Sequence, residues 1–255
     1  MNNSISESEG VYGMGFLDFF RKKDESKKTC SAVILAAGSS ERMGFDKLFC
    51  MLEEKPVLAR TILAFEQSPN VDEIVLVTKA EQIERLADLC REYGFQKVTA
   101  VVCGGKTRME SALAGVSAVS TDADWIAVHD GARPFVTEEL IQRILEAAIQ
   151  YYAAVPVIKS TDTLKLIQKD GSISGTVDRD AVVRVQTPQI FSADLLKGAL
   201  SDAVAKGLLY TDDSAAVERM GIQVQTVEGS EDNIKLTRPM DLEIAMMIAE
   251  QEKMQ

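Results

Sequence analysis

The sequence predicts an α/β fold: a doubly wound, mostly parallel sheet with helices on both faces and a protruding β-arm. Three observations predict it. From Ser31 onward, short apolar runs alternate with amphipathic segments, the pattern of successive βαβ units. The runs are apolar throughout, as strands covered on both faces are. One stretch, 160–185, breaks the rhythm with polar and apolar residues in turn and with turn signals at Asp170-Gly171 and Gly175.

The elements follow in order. Residues 32–35 (AVIL) read as a strand. Residues 56–65 read as a helix with Leu58, Ile62 and Phe65 on one face. A strand over 74–78 precedes a helix over 81–93, with Ile83, Leu86 and Cys90 inward and Gly94 as C-cap. A strand over 98–102 leads to a helix over 107–119 with Met109, Leu113 and Val116 inward. After a strand over 125–129, Thr137 is an N-cap, with Glu138 and Glu139 in the first turn of a helix to about Gln150. A strand over 153–158 precedes the arm, which reads as a hairpin. Isolated hairpins are marginal in water, so the arm is expected to pack on a partner subunit. Then come a helix over 192–206, a short helix over 212–220, a strand over 223–227 and a last helix. Thr237 is the expected N-cap of that helix, with Pro239 in its first turn.

Composition narrows the classes. The chain has 255 residues, enough for one large domain, and a net charge of -11 that argues against a nucleic-acid surface. Its four cysteines show no CxxC spacing and it has one histidine. A Cys/His metal site and a disulfide framework are therefore not expected, and reduced thiols fit a cytoplasmic location. No run is long enough to span a membrane. Residues 1–30 read as a flexible N-terminal extension ahead of a single domain over 31–255. The extension carries Phe16, Leu17, Phe19 and Phe20 beside basic residues, and a short interfacial helix is the alternative reading there.

Ligands of such sheets sit beyond the carboxyl ends of the strands, which singles out the loops after Leu35, Val102, His129 and Ile158. The first is the most telling. The run AVIL stops at Ala36-Ala37-Gly38-Ser39-Ser40, and Arg42 and Lys47 follow. Small residues let an anion approach backbone N–H groups, and two cations add charge at the same place. A phosphate chain is the expected ligand. The spacing matches neither GxGxxG nor GxxxxGK[ST], because five residues separate Gly38 from Gly44 and Phe45 follows.

ILAAGSSERMG with a following lysine resembles the nucleotidyltransferases that couple a nucleoside triphosphate to a phosphorylated small molecule. Their signature is similar to LAAGxGxRMGxxxPK, and their sheet is Rossmann-like. GGKTRMESALAG, VHDGARPF, STDTLK, TVDRD, QTPQIF, TDDSA and EGSEDNIKLTRPMDL occur in that order further along. The ordered set is similar to the 2-C-methyl-D-erythritol 4-phosphate cytidylyltransferase family of non-mevalonate isoprenoid biosynthesis, over about residues 31–251. Ser40 replaces a glycine common in that pattern, no proline precedes Lys47, and Lys106 stands where an acidic residue is common.

The resemblance implies roles for matching residues. Ala36, Ala37 and Gly38 line the triphosphate, and Gly105 and Ser111 hold the cytosine end. Arg42 and Lys47 stabilise the transition state. Asp130, Arg133, Thr163, Thr187 and Thr211 bind the alcohol phosphate, and Arg179 and Lys235 aim its phosphate at the α-phosphorus of CTP. It also implies Mg²⁺ held mainly by the CTP phosphates, and a homodimer through the arm, with Thr163 and Arg179 serving the neighbour's site. The chemistry is self-consistent. A phosphate monoester is already mostly dianionic at neutral pH, so it needs positioning and charge neutralisation rather than a general base. Ribitol-5-phosphate cytidylyltransferases are the nearest alternative. They tend to read LAGG and HDxVRPF, where this chain has Ala36-Ala37-Gly38 and Gly131-Ala132-Arg133. A non-catalytic nucleotide-binding protein of the same fold is the alternative from another class.

Other polar residues have structural readings. His129 ends a buried strand and reads as a satisfied core histidine. Asp212 and Asp213 suit either a helix cap or a substrate contact. Arg108 suits either a salt bridge or a phosphate contact.

Overall fold

The computed structural model describes residues 29–38 and 46–253. Except for Thr29 and Cys30, the expected N-terminal extension lies outside the described residues, and so does Arg42.

The described chain runs β1 (Cys30–Leu35), β2 (Met51–Leu52), β3 (Lys55–Pro56), α1 (Val57–Gln67), β4 (Glu73–Thr78), α2 (Ile83–Tyr93), β5 (Val98–Cys103), α3 (Arg108–Ala118), β6 (Trp125–Asp130) and α4 (Glu138–Tyr151). It continues through β7 (Ala153–Lys159), β8 (Lys165–Ile167), β9 (Ile173–Thr176), β10 (Val183–Val185), β11 (Gln189–Ser192), α5 (Ala193–Ala205), α6 (Ser214–Arg219), β12 (Gln225–Glu228) and α7 (Pro239–Lys253).

The parallel half of the sheet is the predicted one. β1 lies between β4 and β6, and β5 pairs with β4, all parallel. Alternate residues of β1 feed the two faces. Ala32 and Ile34 join α1, α2, α4 and α7 in one apolar layer. Val33 joins α3, α5 and α6 in the other. Strands covered on both faces thus explain the unbroken apolar runs.

The second half differs from the sequence reading. β10 and β11 run antiparallel to β7, β11 also pairs antiparallel with β6, and β12 lies parallel along the other side of β7. Only β8 and β9 pair as the protruding hairpin. Residues 183–185, expected in the arm, belong to the main sheet. The strand Gln189–Ser192 went unpredicted because its four residues follow a proline and carry no period.

Smaller differences have local causes. β5 is the sheet's last strand and is half-covered, so its apolar run does not mean full burial. In α2 the buried residues are Leu86 and Leu89, with Ile83 and Cys90 only partly covered. In α3, Leu113 is likewise partly covered, and Met109, Ala112 and Val116 face the core. Gly94 takes the left-handed conformation (φ 67°) and closes α2 as predicted. Thr137 caps α4, accepting from the Leu140 N–H. At the last helix, the Thr237 hydroxyl instead donates to Asp241, whose carboxylate also accepts the N–H groups of Thr237 and Arg238.

Candidate active site

A cavity of about 670 Å³ opens where the carboxyl ends of β1, β5 and β6 meet the segment before α7. Five cations line it, Lys47, Lys79, Lys106, Arg108 and Lys235, against two carboxylates, Glu81 and Asp130. In a chain of net charge -11 this is a local reversal of sign. It suits a polyanion.

Glycines, alanines and a few larger apolar or hydroxyl-bearing residues form the rest of the wall. Ala37 and Gly38 line the cavity, while Ala36 is buried behind them. Opposite, the loop after β5 lies tight against the start of α3. A Cβ on Gly104 would stand 2.7 Å from Ser111 Oγ and 2.8 Å from Ala37 Cβ. One on Gly105 would stand 2.2 Å from Glu110 Cβ. Only glycine permits this approach. The Gly105 N–H donates to Ser111 Oγ (3.1 Å), and that hydroxyl donates to the Thr107 carbonyl (2.9 Å). Thr107 and Glu110 complete a reciprocal capping box at the start of α3.

The strand end of β6 supplies the acid. Asp130 meets Lys235 Nζ at 2.9 Å and Arg133 Nε at 3.5 Å. Burial alone would raise its pKa, but Lys235, Arg108 and Arg133 hold the carboxyl well below the usual carboxylate range. Lys47 reaches the same place from the other side and donates to the Leu236 carbonyl at 2.6 Å. The cation from the first loop and the cation near the end of the chain therefore meet at one short segment.

Behind Asp130 the polar groups are buried and paired. The Asp130 N–H donates to Thr187 Oγ1 (3.0 Å), which lies 3.1 Å from His129 Nδ1. His129 Nε2 lies 3.1 Å from the Arg133 carbonyl. A carbonyl can only accept, so Nε2 carries the proton and Nδ1 accepts from the Thr187 hydroxyl. Burial pushes the His129 pKa down to about 4, and the ring is neutral at ordinary pH. The core-histidine reading thus holds in detail.

Arg108 and the two aspartates also resolve. Arg108 makes a two-pronged pair with buried Asp213, at 2.9 and 2.8 Å. Asp212 accepts from the Ser214 hydroxyl and the Ala215 N–H at the start of α6. Arg108 is at once a buried ion-pair partner and part of the cavity wall.

Of the sequence-derived candidates, Ala37, Gly38, Lys47, Gly105, Ser111, Asp130 and Lys235 line one cavity. Arg133 and Thr187 are buried beside Asp130. Thr163, Arg179 and Thr211 are exposed and do not line it. Arg179 donates to the Thr161 carbonyl at 3.5 Å, in the arm. Lys79 was missed because it follows a strand whose loop has no glycine-rich signal. Asn233, fully buried, accepts from Arg133 Nη1 at its carbonyl (2.7 Å) and donates its side-chain amide to the Thr187 carbonyl (2.9 Å); a buried amide has no sequence pattern of its own.

Comparison with known proteins gives one answer. The family model described as 2-C-methyl-D-erythritol 4-phosphate cytidylyltransferase matches residues 30–251. A cytidylyltransferase of that name from Dehalococcoides mccartyi (strain CBDB1) is 42% identical over 218 residues, covering 85% of this chain and 94% of its own. The crystal structure of 4-diphosphocytidyl-2C-methyl-D-erythritol synthase from Anaerococcus prevotii DSM 20548 superposes with a TM-score of 0.78 at 30% identity, covering 88% of this chain and 96% of that one. That of the cytidylyltransferase from Thermus thermophilus gives 0.71 at 32% identity, covering 86% and 98%.

Proposed function

Because this chain belongs to the 2-C-methyl-D-erythritol 4-phosphate cytidylyltransferase family, we propose that its cation-lined cavity performs that family's reaction with the division of labour set out below. The enzyme transfers the cytidylyl group of CTP to 2-C-methyl-D-erythritol 4-phosphate, in non-mevalonate isoprenoid precursor synthesis. A phosphate oxygen of the alcohol phosphate bonds to the α-phosphorus of CTP. The bond from that phosphorus to the bridging oxygen breaks, and pyrophosphate leaves.

The observation that carries this reading is the ring of five cations around a glycine-walled cavity at the carboxyl end of the sheet. The backbone of Ala37 and Gly38 receives the triphosphate, and Gly105 and Ser111 flank the base. Lys47 and Lys235, with Arg42, neutralise charge that grows on the α-phosphate and on pyrophosphate. Asp130 holds Lys235 in place. His129 is buried and neutral, and both its nitrogens are occupied, so no histidine base takes part. A dianionic phosphate needs none.

Mg²⁺ belongs to the proposal as an ion carried by the nucleotide. The donor set fits that role: among the described residues no three His, Cys, Asp or Glu side chains gather into a metal cage, and Asp130 is engaged with Lys235. When bound, the ion supplies further neutralisation of triphosphate charge, with phosphate oxygens and water as its ligands.

Thr163, Arg179 and Thr211 complete the proposal as substrate residues, Thr163 and Arg179 serving the site of a neighbouring copy. Leu166, Ile167 and Ile173 on the arm are 58%, 72% and 64% exposed. A second copy covering them would form a homodimer and bring Thr163 and Arg179 to the neighbouring site. No helix among the described residues is long and apolar enough to cross a membrane, and the proposed location is the cytoplasm.

The test is pyrophosphate release with Mg²⁺ and CTP, comparing 2-C-methyl-D-erythritol 4-phosphate with D-ribitol 5-phosphate. Strong preference for the first is expected. Preference for the second overturns the substrate, and silence with both overturns the catalytic reading.

A further inference from the structure

The end of the sheet opposite the cation-lined cavity holds a second cavity, of about 510 Å³. It lies between the end of α4, the start of α5 and the turn from α6 into β12. Tyr151, Tyr152, Leu195, Met220 and Ile222 give it an apolar lining, broken by glutamine amides and one carboxylate, Asp194. No lysine or arginine among the described residues lines it. Such a lining does not suit phosphate groups; it suits large apolar side chains. Tyr151 and Met220 are 45% and 47% exposed, so the described chain leaves the cavity uncovered.

Strand register fixes its place. Ser192, in the wall of the cavity, stands opposite Trp125, and Trp125 stands opposite Cys30. The cavity is therefore about two strand spacings, roughly 10 Å, from the point where the chain enters β1. Asp124 joins the two places: its carbonyl accepts the Ala193 N–H, and its carboxylate accepts the Thr29 N–H (3.1 Å). The arm leaves the sheet from the other end, after the carboxyl end of β7.

The sequence holds an occupant of matching character. Residues 16–20 read FLDFF, four large apolar side chains in five positions, and lie outside the described residues. Phe20 precedes Thr29 by nine residues. Nine residues reach up to about 30 Å, which spans the distance with length to spare. The connection carries Arg21, Lys22, Lys23, Lys27 and Lys28 against Asp24 and Glu25. The way from Thr29 to the cavity is acidic: the Thr29 hydroxyl donates to the Asp122 carbonyl, Asp124 follows, and Asp194 lines the cavity itself. Shape, polarity and sign of charge agree.

We propose that this second cavity is the docking site of the chain's own residues 16–20: the phenylalanines pack against Leu195, Met220 and Ile222, and the basic residues that follow run along Asp194, Asp124 and Asp122. Attachment to the same chain gives the segment an effective concentration of about millimolar order, so contacts too weak to hold a free peptide suffice. The inference does not depend on the reaction.

The test uses the full chain with Phe19→p-benzoylphenylalanine, irradiated and digested, and reads the cross-linked peptides by mass spectrometry. Links within one chain to residues 150–152, 192–195 or 220–225 are expected. Mixing chains of light and heavy nitrogen separates links within a copy from links between copies. Met220→Lys places a cation at an exposed position of the cavity, where the fold tolerates it, and should lower those links at least about fivefold. A second measurement leaves the cavity untouched: Phe16→Ser, Phe19→Ser and Phe20→Ser together should speed amide hydrogen exchange at 192–195 and 220–225 by about threefold or more. Links only between copies would give the cavity to a second copy. Links to lipid in the presence of phosphatidylcholine–phosphatidylglycerol vesicles, with none to the cavity in their absence, would give the segment to a membrane surface. Links scattered over the chain, links indifferent to Met220→Lys, or unchanged exchange would leave the segment without this site. Each of these results overturns the proposal, and none bears on cytidylyl transfer.

Discussion

Arg108 and Asp213 face each other as a two-pronged ion pair at 2.9 and 2.8 Å, and Asp213 has no exposed surface. Helix α3 is thereby tied to the start of α6, and the Arg108 end of the pair forms part of the cavity wall. Removing one partner leaves the other buried and uncompensated, which costs far more than the intact pair contributes. Asp213→Ala is expected to lower unfolding free energy by about 3–5 kcal/mol, read from the denaturant midpoint at unchanged slope. A midpoint equal to the parent's would show that the pair is not a tie.

Acid should loosen the fold through His129. Its pKa falls from the ordinary 6.5 to about 4 in the folded protein, so the unfolded chain takes up the proton first as pH drops. Stability from this group is fully present above about 6.5 and is lost as pH falls from there towards 4. The span corresponds to about 3 kcal/mol. Unfolding measured between pH 7 and 4 should decline more steeply for the parent than for His129→Phe, which has no proton to bind. Parallel curves would mean that the histidine is not neutral in the core.

Lys47→Met should act on turnover rather than on affinity. On the proposed reading its ammonium group neutralises charge that grows during transfer, so kcat should fall about 10²–10³-fold with KM for CTP changing far less. We propose the same pattern for Arg42→Ala. Loss confined to KM in steady-state assays would reassign either residue to ground-state binding.

Gly104→Ala tests the wall. Its new Cβ would press on Ser111 and Ala37, pushing the loops after β1 and β5 apart. Overpacking of this kind costs about 1–3 kcal/mol, and on the proposed reading the displaced loops bear on the nucleotide. A lower melting temperature with a raised KM for CTP is expected. A normal KM beside a lowered melting temperature would mean that CTP does not bind against this wall.

Much of this was legible in the chain. The parallel strands announced themselves because strands buried on both faces must be largely apolar, as 32–35 and 125–128 are. The loops beyond them stood out because small residues followed at once by cations are uncommon in a plain turn. Other features could not be read. Gln189–Ser192 is a strand only because β6 and β7 leave a gap that it fills. The length of the arm was overestimated because residues 183–185 alternate like a hairpin strand but pair with β7. The partner of Arg108 lies 105 residues away, and no local pattern links Asn233 to Thr187. Local period governs elements; long-range pairing governs which of them touch.

The place of β11 has a consequence for how the molecule assembles during synthesis. Strands β6 and β7 do not pair with each other in the described fold; both pair with β11. Until residue 192 has left the ribosome, the amino-terminal βαβ layers and β7 have no strand between them. Lys235 comes later still. A domain made from its amino terminus can lay down its parallel half early. It gains the rest of its sheet, and its complete ring of cations, only when residues 189–235 arrive, and contacts so distant in sequence form slowly. The nascent enzyme is therefore without the full ring of cavity-lining cations until residue 235 has been made.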